Sequence, residues 1–241
     1  EIRLAIPREM DAPLELTSAS GKKVTVHSAK RKGSGIDING WSPDLIISNN
    51  DFSEAYQDWV QGLETPINPP HDLGWHRRRK DHFFAAYNSL AAEFAEILKI
   101  DPWHLQVETK LFSNFDVNDD ANREALAKEV DAMLEKQKVI QAKHDIKTAP
   151  FFFVKNNAGT YGLGVVQVHS GDDIRQWNYK SRKKMKAAKG GRDVEEVIIQ
   201  EGVATIDKIE NGSAEPLLYF INHSQVEFLY RIHKSKDEHS N

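Results

Sequence analysis

Residues 150–168 read PFFFVKNNAGTYGLGVVQV, and this stretch limits the possible folds more than any other. An apolar run, Phe151 to Val154, ends on Lys155. Gly159, Gly162 and Gly164 then punctuate a short turn, and a second apolar run, Val165 to Val168, comes at once. Strand, glycine turn, strand is the pattern this order predicts. A backbone rich in glycine can approach a ligand closely. Its N–H groups can form an anion-binding concavity, and a lysine closing the first strand adds a point charge suited to phosphate. Two readings stay open on this stretch alone. One is a clamp over nucleotide phosphates, and the other is a plain glycine-rich hairpin with a surface lysine.

The spacing narrows the first reading. The GxxxxGK[ST] loop that leads into a helix is absent, and the glycines run GxxGxG rather than GxGxxG. The residues after the turn, Val165 to Val168, are β-like rather than helical. A bound nucleotide would therefore be covered by a hairpin flap rather than cradled by a helix N-terminus.

Composition sets the outer limits. The chain has 241 residues, 39% hydrophobic and 28% charged, a globular composition with room for a sizeable core. It has no cysteine, which excludes disulfides, thiolate metal sites and cysteine nucleophiles. No apolar run approaches the roughly 20 residues that span a bilayer, and EIRLAIPREM lacks a signal-peptide layout. A cytoplasmic location is the expectation. The net charge of −4 argues against nucleic acid or an anionic membrane as a partner. The first residue is not methionine and the last residues, KSKDEHSN, close no element. The chain is expected to be the ordered part of a larger enzyme, incomplete at both ends.

Read in order, Ile2–Ile6 and Lys23–His27 are expected strands, and Gly33–Gly40 is turn-rich. Pro43–Ser48 reads as a buried strand that delivers Asn49, Asn50 and Asp51 to its C-terminal tip, where open α/β sheets hold ligands. Ser53 is placed to cap a helix from Glu54 to about Leu63. Residues 1–64 thus suggest a small α/β region, and 65–74, TPINPPHDLG, a linker. A helical region over 75–149 is next, expected to pack on the core. Its first helix carries Phe83, Tyr87, Leu90, Ala91, Phe94 and Leu98 on one face and stops near Ile100. Its second opens at Asn118 or Asp119, carries Leu126, Val130, Met133, Leu134 and Ile140 as its stripe, and ends before Thr148. Beyond the hairpin come a short helix from Ser170, a basic run from Lys180 to Arg192, and strands over Glu195–Gln200, Pro216–Ile221 and Val226–His233.

Several residues could carry chemistry, and each has a plainer explanation. Lys155 is a phosphate ligand or a snorkelling strand end. Glu201, directly after a buried strand, could receive a sugar hydroxyl or a base amino group, or be an exposed strand end. Arg231 lies within an apolar strand, which is costly unless it is paired. It could hold a phosphate or carboxylate, or bridge to Glu215 or Glu227. Arg77, Arg78 and Arg79 oppose the dipole of the helix they open, so one of them could serve an anion. His71, His76 and His82 lack the i, i+4 spacing of a helical zinc site. The basic run, Lys180 to Arg192, lacks the interleaved aromatics of a stacking platform.

The order of lysine strand, glycine flap, strand, helix, strand ending in Gln-Glu, and two strands with an arginine resembles the nucleotide-binding half of ATP-grasp ligases. Several stretches resemble, more closely, the proteobacterial glutamate–cysteine ligases. They are GWHRRRKDHFF at 74–84, IDPW at 100–103, PFFFVKNNAGTYGLGV at 150–165, RKKMKAAKGG at 182–191, EEVIIQEGVAT at 195–205, AEPLLYFI at 214–221 and YRIH at 230–233. The resemblance implies an α/β (α+β) fold, with an ATP-grasp-like nucleotide-binding region over 150–241. It implies ATP- and magnesium-dependent joining of glutamate to cysteine through γ-glutamyl phosphate, the first step of glutathione biosynthesis. On it, Lys155 contacts nucleotide phosphates, and Gly159, Thr160, Tyr161, Gly162 and Gly164 form the flap. Gln200, Glu201 and Val203 form the adenine-side hinge, and Arg231 lies close to the transferred phosphate. Asn241 is expected to begin the asparagine segment of such enzymes, and Arg77 and Arg79 are candidates to grip a substrate carboxylate. The magnesium-binding acids of the family do not stand in this chain, and Glu227-Phe228-Leu229 replace the glycines usual before its Tyr-Arg strand. The rival readings are another ATP-grasp carboxylate–amine ligase, such as a glutathione synthetase, and a non-catalytic nucleotide-binding module.

Overall fold

The computed structural model describes residues 1–160, 162–186, 194–210, 212–221 and 223–233. The chain divides into two compact units, Glu1–Arg78 and Arg79–Asn241.

The first unit is built from short strands. β1 (Leu4–Ile6), β2 (Leu14–Thr17) and β3 (Lys23–Ser28) form a sheet in the order β1-β3-β2, with β1 parallel and β2 antiparallel to β3. β4 (Lys30–Lys32) and β5 (Gly35–Asp37) pair as a hairpin. The turn-rich stretch therefore supplies core: Ile36 and Ile38 are buried with Ala29 and pack against Trp41, Ile46 and Trp59. The strand expected over Pro43–Ser48 shrinks to β6 (Ile46–Ile47), and the helix expected from Glu54 is the single turn α1 (Gln57–Val60). Phe52 and Tyr56 adopt positive φ ahead of α1, which delays helix entry. The segment read as a linker carries β7 (Ile67–Asn68), paired parallel with β6, and a 3-10 turn at His71–Leu73.

The second unit is organised by a four-stranded sheet under long helices. α2 (Lys80–Leu98) begins just after Arg77, Arg78 and Arg79. The sequence pattern predicts that these arginines open it, but they stand outside it, with Arg79 as its extended N-cap. It ends on Lys99, whose left-handed backbone closes the helix. β8 (Thr109–Ser113) is next, an element that the sequence pattern does not reveal. α3 (Asp120–Lys143) is capped by the Asp119 carboxylate, which accepts from Ala121 N–H. β9 (Phe152–Asn156) and β10 (Val165–Val168) flank the glycine turn. α4 (Gly171–Arg175) opens on a capping box between Ser170 and Asp173. α5 (Tyr179–Met185) carries the first part of the basic run, whose Lys189 and Arg192 lie outside the described residues. β11 (Glu196–Glu201) then enters the sheet.

The sheet order is β10-β9-β11-β8, antiparallel throughout. Period-2 alternation divides its residues between two faces. Phe152, Val154, Val168, Val197 and Ile199 meet Leu126, Val130, Met133 and Leu134 of α3, with Ile174, Trp177 and Met185, in one buried cluster. Each large apolar side chain buried there is worth about 1.5–3 kcal/mol, so this layer fixes the sheet. The alternate residues, among them Thr109, Phe153, Lys155, Ile198 and Gln200, share the opposite face. β12 (Lys208–Ile209), β13 (Gly212–Ile221) and β14 (Ser224–His233) form a separate antiparallel sheet.

α2 departs from the sequence expectation in its rotation. Its buried residues are Ala91 and Ala95, whereas Phe83, Leu90, Phe94 and Leu98 are exposed. Polar docking sets that rotation. Asn88 accepts from Val107 N–H and donates to Val107 O, Gln106 donates to Asn88 O, and the Tyr87 hydroxyl donates to Leu105 O.

Candidate active site

Lys155 stands on β9 one residue before the turn. Its register partner on β11 is Ile198, and Gln200 pairs with Phe153, so Lys155 and Gln200 are diagonal neighbours on one face. Lys155 Nζ donates to Gln200 Oε1 at 2.6 Å and lies 4.9 Å from the centre of the Phe153 ring. Gln200 Nε2 reaches Thr109 Oγ1 of β8 at 3.4 Å. Burial pushes the Lys155 ammonium below the usual lysine range. Its contact is with a neutral amide, which leaves the positive charge on this face uncancelled. This donor set fits an anion.

The turn is closed at its base by Asn156 N–H to Gly164 O at 2.8 Å, and within by Gly159 N–H to Asn156 O and Leu163 N–H to Thr160 O. Gly162 and Gly164 have φ of 70° and 62°, left-handed values that L side chains adopt at a cost. The Asn156 side chain accepts from Ala158 N–H.

Two residues that the sequence pattern does not single out hold this turn in place. Asn157 is buried and ties three elements together. Its amide donates to Asp81 Oδ1 at 2.8 Å and Glu196 Oε2 at 3.1 Å, and its Oδ1 accepts from Asp81 N–H. Lys80 Nζ donates to the carbonyls of Asn156 at 2.7 Å and Gly159 at 2.5 Å, with Asn157 O at 3.4 Å. Their only sequence signals are a fourth basic residue ending the RRRK run and a second asparagine close after Lys155.

The hinge residues divide between faces. Glu201 belongs to the helix side of the sheet, where its carboxylate accepts from Gln137 Nε2 at 2.5 Å and Glu108 N–H at 3.0 Å. Burial raises its pKa above the ordinary range. Its side chain therefore does not share a face with Lys155. Gly202 N–H donates to Phe151 O at 2.8 Å, and a Cβ on Gly202 would lie 2.1 Å from the Phe151 ring. Val203 comes next, exposed.

Other candidates are placed elsewhere. Arg231 on β14 is directly opposite Glu215 on β13 and forms an ion pair with it. Arg79 precedes α2, and its charge acts on Lys80. Arg77 is an exposed residue of the first unit, and Arg78 stacks on Trp75. Tyr161 and Asn241 lie outside the described residues. His71 and His76 contact the carbonyls of Ala55 and Phe52, and their ring centres are 4.5 Å apart. Among the described residues no three histidine, aspartate or glutamate side chains gather as a metal site. No helix of the described residues is long and apolar enough to cross a membrane.

Ser48, Asn49, Asn50 and Asp51 line an open concavity of about 530 Å³ in the first unit. Its side chains supply no positive charge. The Lys155 face carries a cation, so chemistry favours it for an anionic ligand.

Over residues 1–241 the chain matches the profile of the family described as Glutamate-cysteine ligase. Among solved structures it is similar to a protein of Methylobacillus flagellatus KT assigned as a gamma-glutamylcysteine synthetase. The identity is 38% and the TM-score 0.84, over 100% of this chain and 57% of that one. The chain thus spans little more than half the length of that relative. It also aligns with D-alanyl-alanine synthetase A of Vibrio cholerae at 11% identity and a TM-score of 0.37, over 90% of this chain and 62% of that one. That likeness is too weak to argue from. No curated protein sequence matches.

Proposed function

Because the chain belongs to the glutamate–cysteine ligase family, we propose that it carries the nucleotide-binding part of an enzyme that joins glutamate to cysteine at the expense of ATP. The observation that carries the reading is the Lys155–Gln200 pair on the sheet face opposite the α3 cluster, one residue from the glycine turn. The γ-carboxylate of glutamate attacks the terminal phosphorus of ATP, giving γ-glutamyl phosphate and ADP. The cysteine amine then attacks the acyl carbon, the C–O bond to phosphate breaks, and the amine proton is lost to solvent or base.

The protein's part in such chemistry is positioning and charge neutralisation. Lys155 places its ammonium against the phosphates, Gln200 orients that ammonium, and the turn from Gly159 through Thr160, Gly162 and Gly164 covers them. The backbone of Gln200, Glu201 and Val203 lines the adenine side. Arg231 would neutralise the transferred phosphate, and Arg77 or Arg79 would grip a substrate carboxylate. Magnesium would neutralise the phosphate charge, but the described residues do not bring together a carboxylate set that fits it. No ligand is assigned to the ion and no step is routed through it. Reactants of this kind place the reaction in the cytoplasm.

The test is ADP release by the full-length protein with ATP, magnesium and glutamate, first with cysteine and then with γ-glutamylcysteine plus glycine. Release with cysteine, together with γ-glutamylcysteine in the products, supports the reading. Release only with the second pair makes it a different carboxylate–amine ligase. Release with neither acceptor, in protein that still binds ATP, leaves a nucleotide-binding module.

A further inference from the structure

Lys80 is the first residue of α2, and its ammonium is not spent on a carboxylate. It is surrounded by main-chain oxygen: the carbonyls of Asn156 and Gly159 at 2.7 and 2.5 Å, with Asn157 O at 3.4 Å. Its own N–H donates to Asn157 O at 3.1 Å, and the next N–H, that of Asp81, donates to Asn157 Oδ1. Arg79 supplies no side-chain cap to α2, so the helix start is capped by the turn. Helix and turn are one hydrogen-bonded object.

We propose that Lys80 is a positioning residue for the glycine turn, gathering its carbonyl oxygens so that the N–H ends of the same peptide units face away from the ammonium. Its role toward phosphate rests on the nucleotide reading above. A trans peptide points its C=O and N–H in opposite directions. Of the three units involved, Asn157 N–H donates to Glu196 O and Ala158 N–H to Asn156 Oδ1. The third unit links Gly159 to Thr160. Lys80 takes its carbonyl, and the Thr160 N–H is directed away as a donor for an anion. Lys80 therefore acts on phosphate through the backbone, while Lys155 acts on it directly.

The charges around Lys80 make the device sensitive to pH. Arg79 and Asp81 face it from the start of α2 and Lys155 from β9. Glu196 on β11 and Asp81 are both engaged by the Asn157 amide. Burial, then the charges of Lys155 and Arg79, push the Lys80 ammonium down to about 8. As pH rises through that value the clamp loses its charge and one of its donors.

The test uses full-length protein and its Lys80→Met variant. Amide hydrogen exchange of the unliganded protein over 156–164 is measured alongside ADP titration calorimetry between pH 7 and 9. Charge-assisted hydrogen bonds of this kind are worth about tenfold or more in an equilibrium constant. The variant is expected to exchange over 156–164 about tenfold faster, with α3 unchanged, and to bind ADP about tenfold more weakly. Wild-type affinity is expected to step down near pH 8, and the variant to lack that step. Exchange and pH profile identical to wild type would overturn the proposal. If wild type binds no ADP, the nucleotide reading fails while the exchange data still decide the clamp. If the variant does not fold, wild-type protection over 156–164 relative to α3 decides, after correction for intrinsic exchange. A fall between pH 7 and 9 supports the clamp, and a constant ratio refutes it.

Discussion

Lys155 and Gln200 meet diagonally across β9 and β11, with ammonium nitrogen and amide oxygen 2.6 Å apart. A neutral partner orients the lysine without cancelling its charge. A carboxylate in the same place would make a salt bridge and remove the site's attraction for phosphate.

Gln200→Glu tests that distinction. Gln200 is buried, and the ion pair of the new carboxylate with Lys155 offsets the cost of burying the charge, so the melting temperature should change little. Nucleotide affinity should fall by about tenfold or more, the size of one charged hydrogen bond. Calorimetric titration with ADP and a thermal melt read both effects. A parallel loss of affinity and stability would point to general damage instead.

Gly202→Ala should destabilise the second unit. The added Cβ would stand 2.1 Å from the Phe151 ring, and the Gly202 N–H to Phe151 O bond leaves little room to retreat. Overpacking of this kind costs about 1–3 kcal/mol. Urea unfolding measures it. A Phe151→Leu change in the same chain should recover part of the loss, because contacting sites are not additive.

Arg231 and Glu215 separate a catalytic from a structural reading. The arginine pairs with Glu215, whose Oε1 is buried without a hydrogen-bond partner among the described residues. If Arg231 neutralises the transferred phosphate, Arg231→Gln should lower kcat of the full-length enzyme by about a hundredfold. Glu215→Gln, which keeps the arginine, should cost far less. Equal losses in the two variants would assign the pair to structure.

Glu201 should leave a signature in the pH dependence of stability. Burial raises its folded-state pKa above the unfolded value. Well above the folded pKa both states are ionised and the burial cost is carried in full. As pH falls through the folded pKa toward the unfolded one, the folded chain binds the extra proton and gains stability. Wild type should therefore gain on Glu201→Gln as pH drops from 7 toward 5. Denaturant midpoints across that range check it, and a constant difference would contradict the burial argument.

The local part of this molecule is legible in the sequence, and the non-local part is not. β9, the turn and β10 are adjacent in the chain, so apolar runs broken by glycines reveal them. α3 is equally plain, because its cap, Asp119, and its buried stripe, Leu126, Val130, Met133 and Leu134, obey one period. β8 escapes notice because its residues alternate weakly and only its pairing with β11 defines it. The exposed aromatic side of α2 misleads the periodicity, since Asn88 and Tyr87 fix the rotation through polar contacts to 105–107. Glu201 and Gln200 are neighbours in sequence, yet opposite faces of a strand send one to Gln137 and the other to Lys155. Lys80 stays hidden because its partners are carbonyls more than seventy residues away.

The most direct measurement is hydrogen exchange of the full-length protein with and without ATP. The expected result is slowed exchange over 152–164 and 198–203, the strand, turn and hinge around Lys155, with Ser48–Asp51 unaffected. Protection at Ser48–Asp51 and none around Lys155 would contradict the assignment of the Lys155 face as the nucleotide site.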